Sequence, residues 1–172
     1  MFLRLMKDFL IKKSVKKSLS DYKPADIGNK IQTIGLLIDE TYFAKENELV
    51  SELVAGGVDR NAIEVLVYKD RIKKKETFEN PFFSRADVSL KGDFRKQAVL
   101  DFIEKPFDML ISYYDIEKPI LTLVTLQSKA SFKVGFSTID KRLNSFMITT
   151  IAEKHQEFVA ELFKYLKILN KI

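Results

Sequence analysis

Two short apolar runs, TIGLLID at residues 33–39 and IEVLVY at 63–68, flank a stretch of helical periodicity. That alternation constrains the fold more than any other feature of the chain. Between the runs, TYFAKENELVSELVAGG places Phe43, Val50 and Val54 near one helical spacing and Tyr42, Leu49 and Leu53 near another. Gly56 and Gly57 supply the left-handed residue at which helices commonly stop. The second run, Ile63 to Tyr68, is β-branched and nearly continuous, as expected of a strand buried on both faces. A strand–helix–strand unit results, and parallel strands require a crossover of this kind.

The alternation continues. DFRKQAVLDFIEK sets Phe94, Ala98, Val99, Phe102 and Ile103 on one helical face, and Pro106 stops that helix before the strand FDMLISYY. KPILTLVTLQSKA reads as a helix with Pro119 in its first turn, apolar nearly all round and so expected to be buried. FKVGF and FMITTI read as strands separated by the turn or loop STIDKRLNS. That link is too short for a helical crossover, so the pair is expected to be antiparallel. Residues Glu153 to Lys171 close the chain as a helix striped by Phe158, Leu162, Leu166 and Leu169. KDRIKKKETFENPFFSRAD has no clean period and reads as a long loop, with a short strand near VSL. The expected fold is α/β, a Rossmann-like three-layer sandwich with a mostly parallel sheet. Residues 1–30 form a basic N-terminal helix and linker, and 31–172 a single domain.

Several chemistries lack their residues. With no Cys and one His, neither a disulfide framework nor the usual structural zinc site can form. The dinucleotide fingerprint is absent, because Glu40, Thr41 and Tyr42 follow the first strand where glycines would be needed. There is no phosphate-cradling G-x-x-x-x-G-K-[ST] loop and no G-x-S-x-G elbow. His155 borders the apolar stripe of the last helix and is expected to be packed or half exposed there.

Acids do fall at or near strand ends: Asp39 with Glu40, then Asp70, Asp115 and Asp140. In open α/β sheets ligands bind beyond the carboxyl ends of strands. Carboxylates converging there suit Mg²⁺ and phosphoester hydrolysis. Equally, Asp is favoured as a cap and turn former after any strand. LLIDETYF resembles the opening strand of metal-dependent nucleases of the PIN and NYN type. It is also similar to the start of haloacid-dehalogenase phosphatases, which require a second Asp where this chain has Thr41. A second mixed stretch joins Arg71, Lys73, Lys74 and Lys75 to Phe78, Phe82, Phe83 and Arg85. Such interleaving suits single-stranded nucleic acid. A solvated lysine loop with its phenylalanines tucked into the core is the favoured reading, since Glu76, Glu79 and Asp87 dilute the charge.

MFLRLMKDFLIKKSVKKSL and KIQTIGLLIDETYF resemble an uncharacterised protein family of flavobacteria and other Bacteroidota, which implies no activity. FDMLISYYDIEKPILTLVTLQSKASFKVGF, residues 107–136, is similar in layout to the N-terminal half of heptosyltransferase-type glycosyltransferases. Those enzymes hold the nucleotide sugar largely in a second Rossmann-like domain, for which 172 residues leave no room. The likeness therefore implies the fold and argues against the activity.

Charge singles out the other end of the chain. Residues 1–30 hold eight bases and three acids, a surplus equal to the whole net charge of +5. Arg4, Lys7 and Asp8 interrupt the first apolar run and Lys12 and Lys13 end the second, so neither a secretion signal nor a membrane span fits. A cytoplasmic protein is expected, with peripheral contact to the inner membrane as one variant. On a helical wheel Phe2, Leu5, Met6, Phe9 and Leu10 share one face, whereas Ile11, Val15 and Leu19 lie roughly opposite. A helix whose apolar stripe changes sides has two bodies to serve. One is its own domain. The other is an anionic bilayer, an RNA-containing particle or a protein, a second copy included, contacted through Arg4, Lys7, Lys12, Lys13, Lys16 and Lys17. The alternative is a helix packed on the sheet with its lysines in water. The expected function is non-enzymatic docking without a cofactor. The rival is a Mg²⁺-dependent phosphoesterase or nuclease using Asp39, Asp115 and Asp70 or Asp140.

Overall fold

The computed structural model describes residues 2–23, 30–72 and 77–172, without the side chains of Phe2 and Leu3. Six strands form one sheet in the order β3-β2-β1-β4-β5-β6, every neighbouring pair parallel. The strands are β1 Ile34–Asp39, β2 Ile63–Tyr68, β3 Phe82–Phe83, β4 Met109–Tyr113, β5 Phe132–Phe136 and β6 Phe146–Ile148. Five α-helices accompany them: α1 Phe2–Asp21, α2 Glu46–Ala55, α3 Gln97–Glu104, α4 Pro119–Gln127 and α5 His155–Ile168. This strand order is that of the dinucleotide-binding Rossmann folds, so the α/β class read from the sequence holds.

β1, β4 and β5 are buried at every residue, which is why their runs show no alternation. The chain leaves β1 and β4 toward opposite edges, so right-handed crossovers carry α2 and α4 to opposite faces. Side chains of β4 show both faces. Tyr113 stacks with Phe43, Phe136 and Phe158 at centroid distances of 4.8, 5.1 and 5.0 Å, on the side where α2 packs against α5. Its neighbours Ser112 and Tyr114 place their hydroxyls 3.0 and 2.8 Å from Thr125 of α4, on the side of α1 and α3. α4 is buried from Ile120 through Thr125, as its composition requires. Edge strands of two and three residues leave little unpaired backbone to recruit another sheet.

The structure corrects several expectations. β5 and β6 are parallel, not antiparallel. The nine-residue link 137–145 makes this possible without a helix. At about 3.3 Å per residue it reaches about 30 Å, ample to retrace a strand of about 16 Å. Ile139 and Leu143 plug the link into the core. The strand expected near VSL is instead Phe82–Phe83. A 3-10 turn at Arg85–Asp87, closed by a reciprocal Ser84–Asp87 capping box, ends it, and Val88 makes only an isolated antiparallel bridge with Phe94. Phe94 therefore precedes α3 yet stays in the core. α2 begins at Glu46, because the Asp39 carboxylate accepts the Thr41 N–H and turns the chain first. Its stop uses Gly57, at φ +107°, as the left-handed residue. Leu169 lies past the end of α5 and is exposed.

Candidate functional site

β1 and β4 are neighbours from which the chain departs in opposite directions, and ligands of such sheets bind at this switch point. Here the crevice is spanned from within. Asp39 ends β1 fully buried, with its Oδ2 2.7 Å from the ammonium of Lys118, the residue before α4. Lys118 also donates to Thr41 Oγ1 at 2.8 Å, and its Nζ lies 4.8 and 4.9 Å from the ring centroids of Tyr42 and Tyr68. Every donor of this lysine thus faces a partner.

The other strand-end acids are engaged separately. Asp70 accepts from Tyr68 Oη at 3.0 Å and Arg4 Nη2 at 3.5 Å, with Arg85 Nη2 3.9 Å away. Burial opposes its ionisation. The Tyr68 hydrogen bond and the charges of Lys118, Arg4 and Arg85 outweigh that and hold Asp70 below the usual carboxylate range. Asp115 accepts the Ala152 N–H at 2.9 Å. Asp140 is held down to about 2 by its Arg142 hydrogen bonds. Among the described residues, no three His, Cys, Asp or Glu side chains are grouped to hold a metal ion.

His155 is packed, as expected. It opens α5 with Nδ1 2.8 Å from Glu52 and Nε2 3.3 Å from Glu48, both on α2. Of the basic–aromatic run, Lys73, Lys74, Lys75 and Glu76 lie outside the described residues. Of its phenylalanines one is buried and two are half-buried. Phe83 is in the core, Phe78 and Phe82 stack at 3.9 Å, and Lys96 lies 3.5 Å over Phe82.

α1 remains. Its body-facing side begins with charge: Arg4 meets Asp70, Lys7 donates to the Arg85 carbonyl at 2.6 Å, and Asp8 pairs with the Arg85 guanidinium. One turn later contact becomes apolar, with Ile11, Val15 and Leu19 buried where α1 packs on α4. The outward side is built in the reverse order. Leu5 and Phe9 are 61% and 67% exposed, Met6 and Leu10 36% each. Lys12, Lys13, Lys16 and Lys17 continue that side, all exposed and without an ion pair among the described residues. Of the six bases singled out in the sequence, four face solvent and two aim their charge at the body. The side chain of Phe2, which the helical wheel groups with Leu5, Met6, Phe9 and Leu10, lies outside the described residues.

Lys118 carries no sequence signal, and Arg85 stands out only within the basic–aromatic stretch, because only the strand order brings them beside Asp39 and Asp8. The family model of DUF6913, a family of unknown function, matches residues 7–169. No curated protein and no solved structure matches the chain.

Proposed function

We propose that this chain, which belongs to the DUF6913 family of unknown function, is a docking protein whose α/β body displays the outward side of α1 to a partner. One observation carries the reading. Within a single helix Ile11 is 1% exposed and Phe9 67%, so the same residue class serves the core on one side and faces water on the other. Isolated surface hydrophobics are ordinary, but a contiguous group of four beside four lysines is a recognition feature. The ties from Asp70 and Arg85 to the first turns hold that group in place against the body. The phosphoesterase reading gains no comparable support, since Asp39, Asp70, Asp115 and Asp140 each satisfy a partner within the protein.

Removing residues 1–20 would be the wrong experiment, because it strips Ile11, Val15 and Leu19 from the core. The test changes the outward side alone, with Leu5→Ser, Phe9→Ser, Lys12→Gln and Lys16→Gln combined. The wild-type chain should distribute to a particulate fraction of its cells and the variant to the supernatant, with unchanged circular dichroism and thermal midpoint. Identical distributions would refute docking through α1.

A further inference from the structure

We infer that the partner of α1 is the surface of an anionic lipid bilayer, with the apolar half of its outward side seated deeper than the lysine half. This rests on the docking reading and names its partner. Charge complementarity gives the first argument. α1 holds two acids: Asp8 is turned inward to Arg85, and Asp21 is the exposed last residue, so the outward side carries Lys12, Lys13, Lys16 and Lys17 with no ion pair among the described residues. A twin α1 across a two-fold axis would bring four more lysines against one exposed acid, Asp21 at its end. The neutralising charge must come from another surface.

The second argument is the order of residues along the axis. Leu5 to Leu10 and Lys12 to Lys17 occupy successive segments of one side, their centres seven residues apart. That is about 10 Å at a rise of about 1.5 Å per residue. A tilt of about 30° sets the two segments about 5 Å apart in depth, comparable with the thickness of one headgroup layer. The apolar segment then reaches the acyl boundary while the lysines stay among phosphates, aided by their flexible stems. A nucleic acid offers phosphates but no hydrocarbon beneath them, and would leave Leu5, Met6 and Leu10 in water. Arg4 and Lys7, which would have to be buried by this tilt, already spend their charge on Asp70 and the Arg85 carbonyl. No described helix is long and apolar enough to cross a membrane, so the contact is interfacial.

The test is flotation of the full chain with phosphatidylcholine vesicles containing 0 or about 30% phosphatidylglycerol at physiological salt. Binding is expected only with the anionic lipid. Each Lys→Gln change should weaken partitioning about fivefold, and Lys12, Lys13, Lys16 and Lys17 together several-hundred-fold. Leu5→Ser with Phe9→Ser should cost at least about tenfold even at low salt. The chain has no cysteine, so Met6→Cys accepts a single environment-sensitive dye. Its emission should shift to the blue on anionic vesicles, while the same dye on Gln156→Cys of α5 should not respond. Equal binding to both vesicle types, no flotation, or no shift at residue 6 would overturn the lipid assignment. If vesicles fail but the lysine and apolar substitutions abolish binding to a short single-stranded RNA or self-association in sedimentation, docking survives with a different partner. If α1 substitutions alter none of the three, both readings fall.

Discussion

Lys118 and Lys16 are the same side chain in opposite circumstances. Lys118 stands at the switch point of the sheet with a carboxylate, a hydroxyl and two aromatic faces around its ammonium. Lys16 stands on the outward side of α1 with none of these. The same contrast separates Ile11 from Phe9. At the switch point the body answers its buried carboxylate with its own lysine, in the crevice where a Rossmann-like fold would receive a ligand. α1 leaves lysines and apolar side chains exposed on one side. That contrast between apolar and charged groups on one side of one helix supports the docking proposal for α1.

The largest effect expected from breaking this contrast is at the switch point. Lys118→Met leaves the buried Asp39 carboxylate facing an apolar stem. Removing one partner of a buried pair costs about 3–5 kcal/mol, read as a lower urea midpoint. Lys16→Gln, the same loss of charge on α1, should move that midpoint by no more than about 0.5 kcal/mol. A comparable loss at both sites would erase the distinction.

A third lysine sharpens it. Lys133 on β5 is buried, donates to the Thr125 carbonyl at 2.6 Å and lies 5.0 Å from the ring of Tyr22, just past α1. Burial pushes its ammonium down to about 8 from an ordinary value of 10.5. Between those values the unfolded chain holds a proton that the native chain has released, so native stability rises with pH. The slope approaches about 1.4 kcal/mol per pH unit, and the gain is on the order of 3 kcal/mol. Thermal midpoints from pH 7.5 to 9.5 should climb in the wild type and flatten in Lys133→Met. Tyr68, Tyr113 and Tyr114, raised mainly by burial, act above that window.

Ile11→Ala should cost about 2–3 kcal/mol by opening a cavity where α1 meets α4. Phe9→Ala, a larger deletion, should cost no more than about 0.5 kcal/mol because its ring is in water. Paired denaturation curves measure both. Equal losses would mean that Phe9 has a packing role on the body.

Sequence periodicity sufficed for the strands of the sheet centre and for the change of sides on α1, since both depend on local spacing. It misread what depends on distant pairing. Nothing in STIDKRLNS announces that nine residues can return to a parallel strand by stretching with Ile139 and Leu143 tucked inward. Arg85, in a loop by composition, reaches Asp8 only because β3 delivers it there. Four of the six α1 bases, Lys12, Lys13, Lys16 and Lys17, face outward. Arg4 and Lys7 turned inward because Asp70 and the Arg85 carbonyl, far along the chain, wait for them.

The smallest effect probes the charged contacts between the first two turns of α1 and the body. Arg85→Gln removes the guanidinium shared by Asp8 and Asp70. Its partners are partly solvated, so the global cost should stay near 1 kcal/mol. The local consequence should be larger, because Ile11, Val15 and Leu19 still clamp the rest of α1 while Asp8 loses its partner, leaving only Arg4 on Asp70 and Lys7 on the backbone carbonyl of residue 85 to tie the first two turns. A dye on Met6→Cys should then tumble faster, seen as lower fluorescence anisotropy, while one on Lys17→Cys should not change. Acid loosens a second tie, that of Arg4 to Asp70. The folded pKa of Asp70 is depressed, so its contribution is complete above the ordinary carboxylate range and fades as pH falls through the folded value. Wild-type anisotropy at residue 6 should therefore fall on acidification well below pH ~4, and Arg85→Gln, which keeps Arg4 on Asp70, should start lower and fall further. If neither route loosens residue 6, its orientation comes from helix stiffness alone, and the charged ties between α1 and the body are incidental to display.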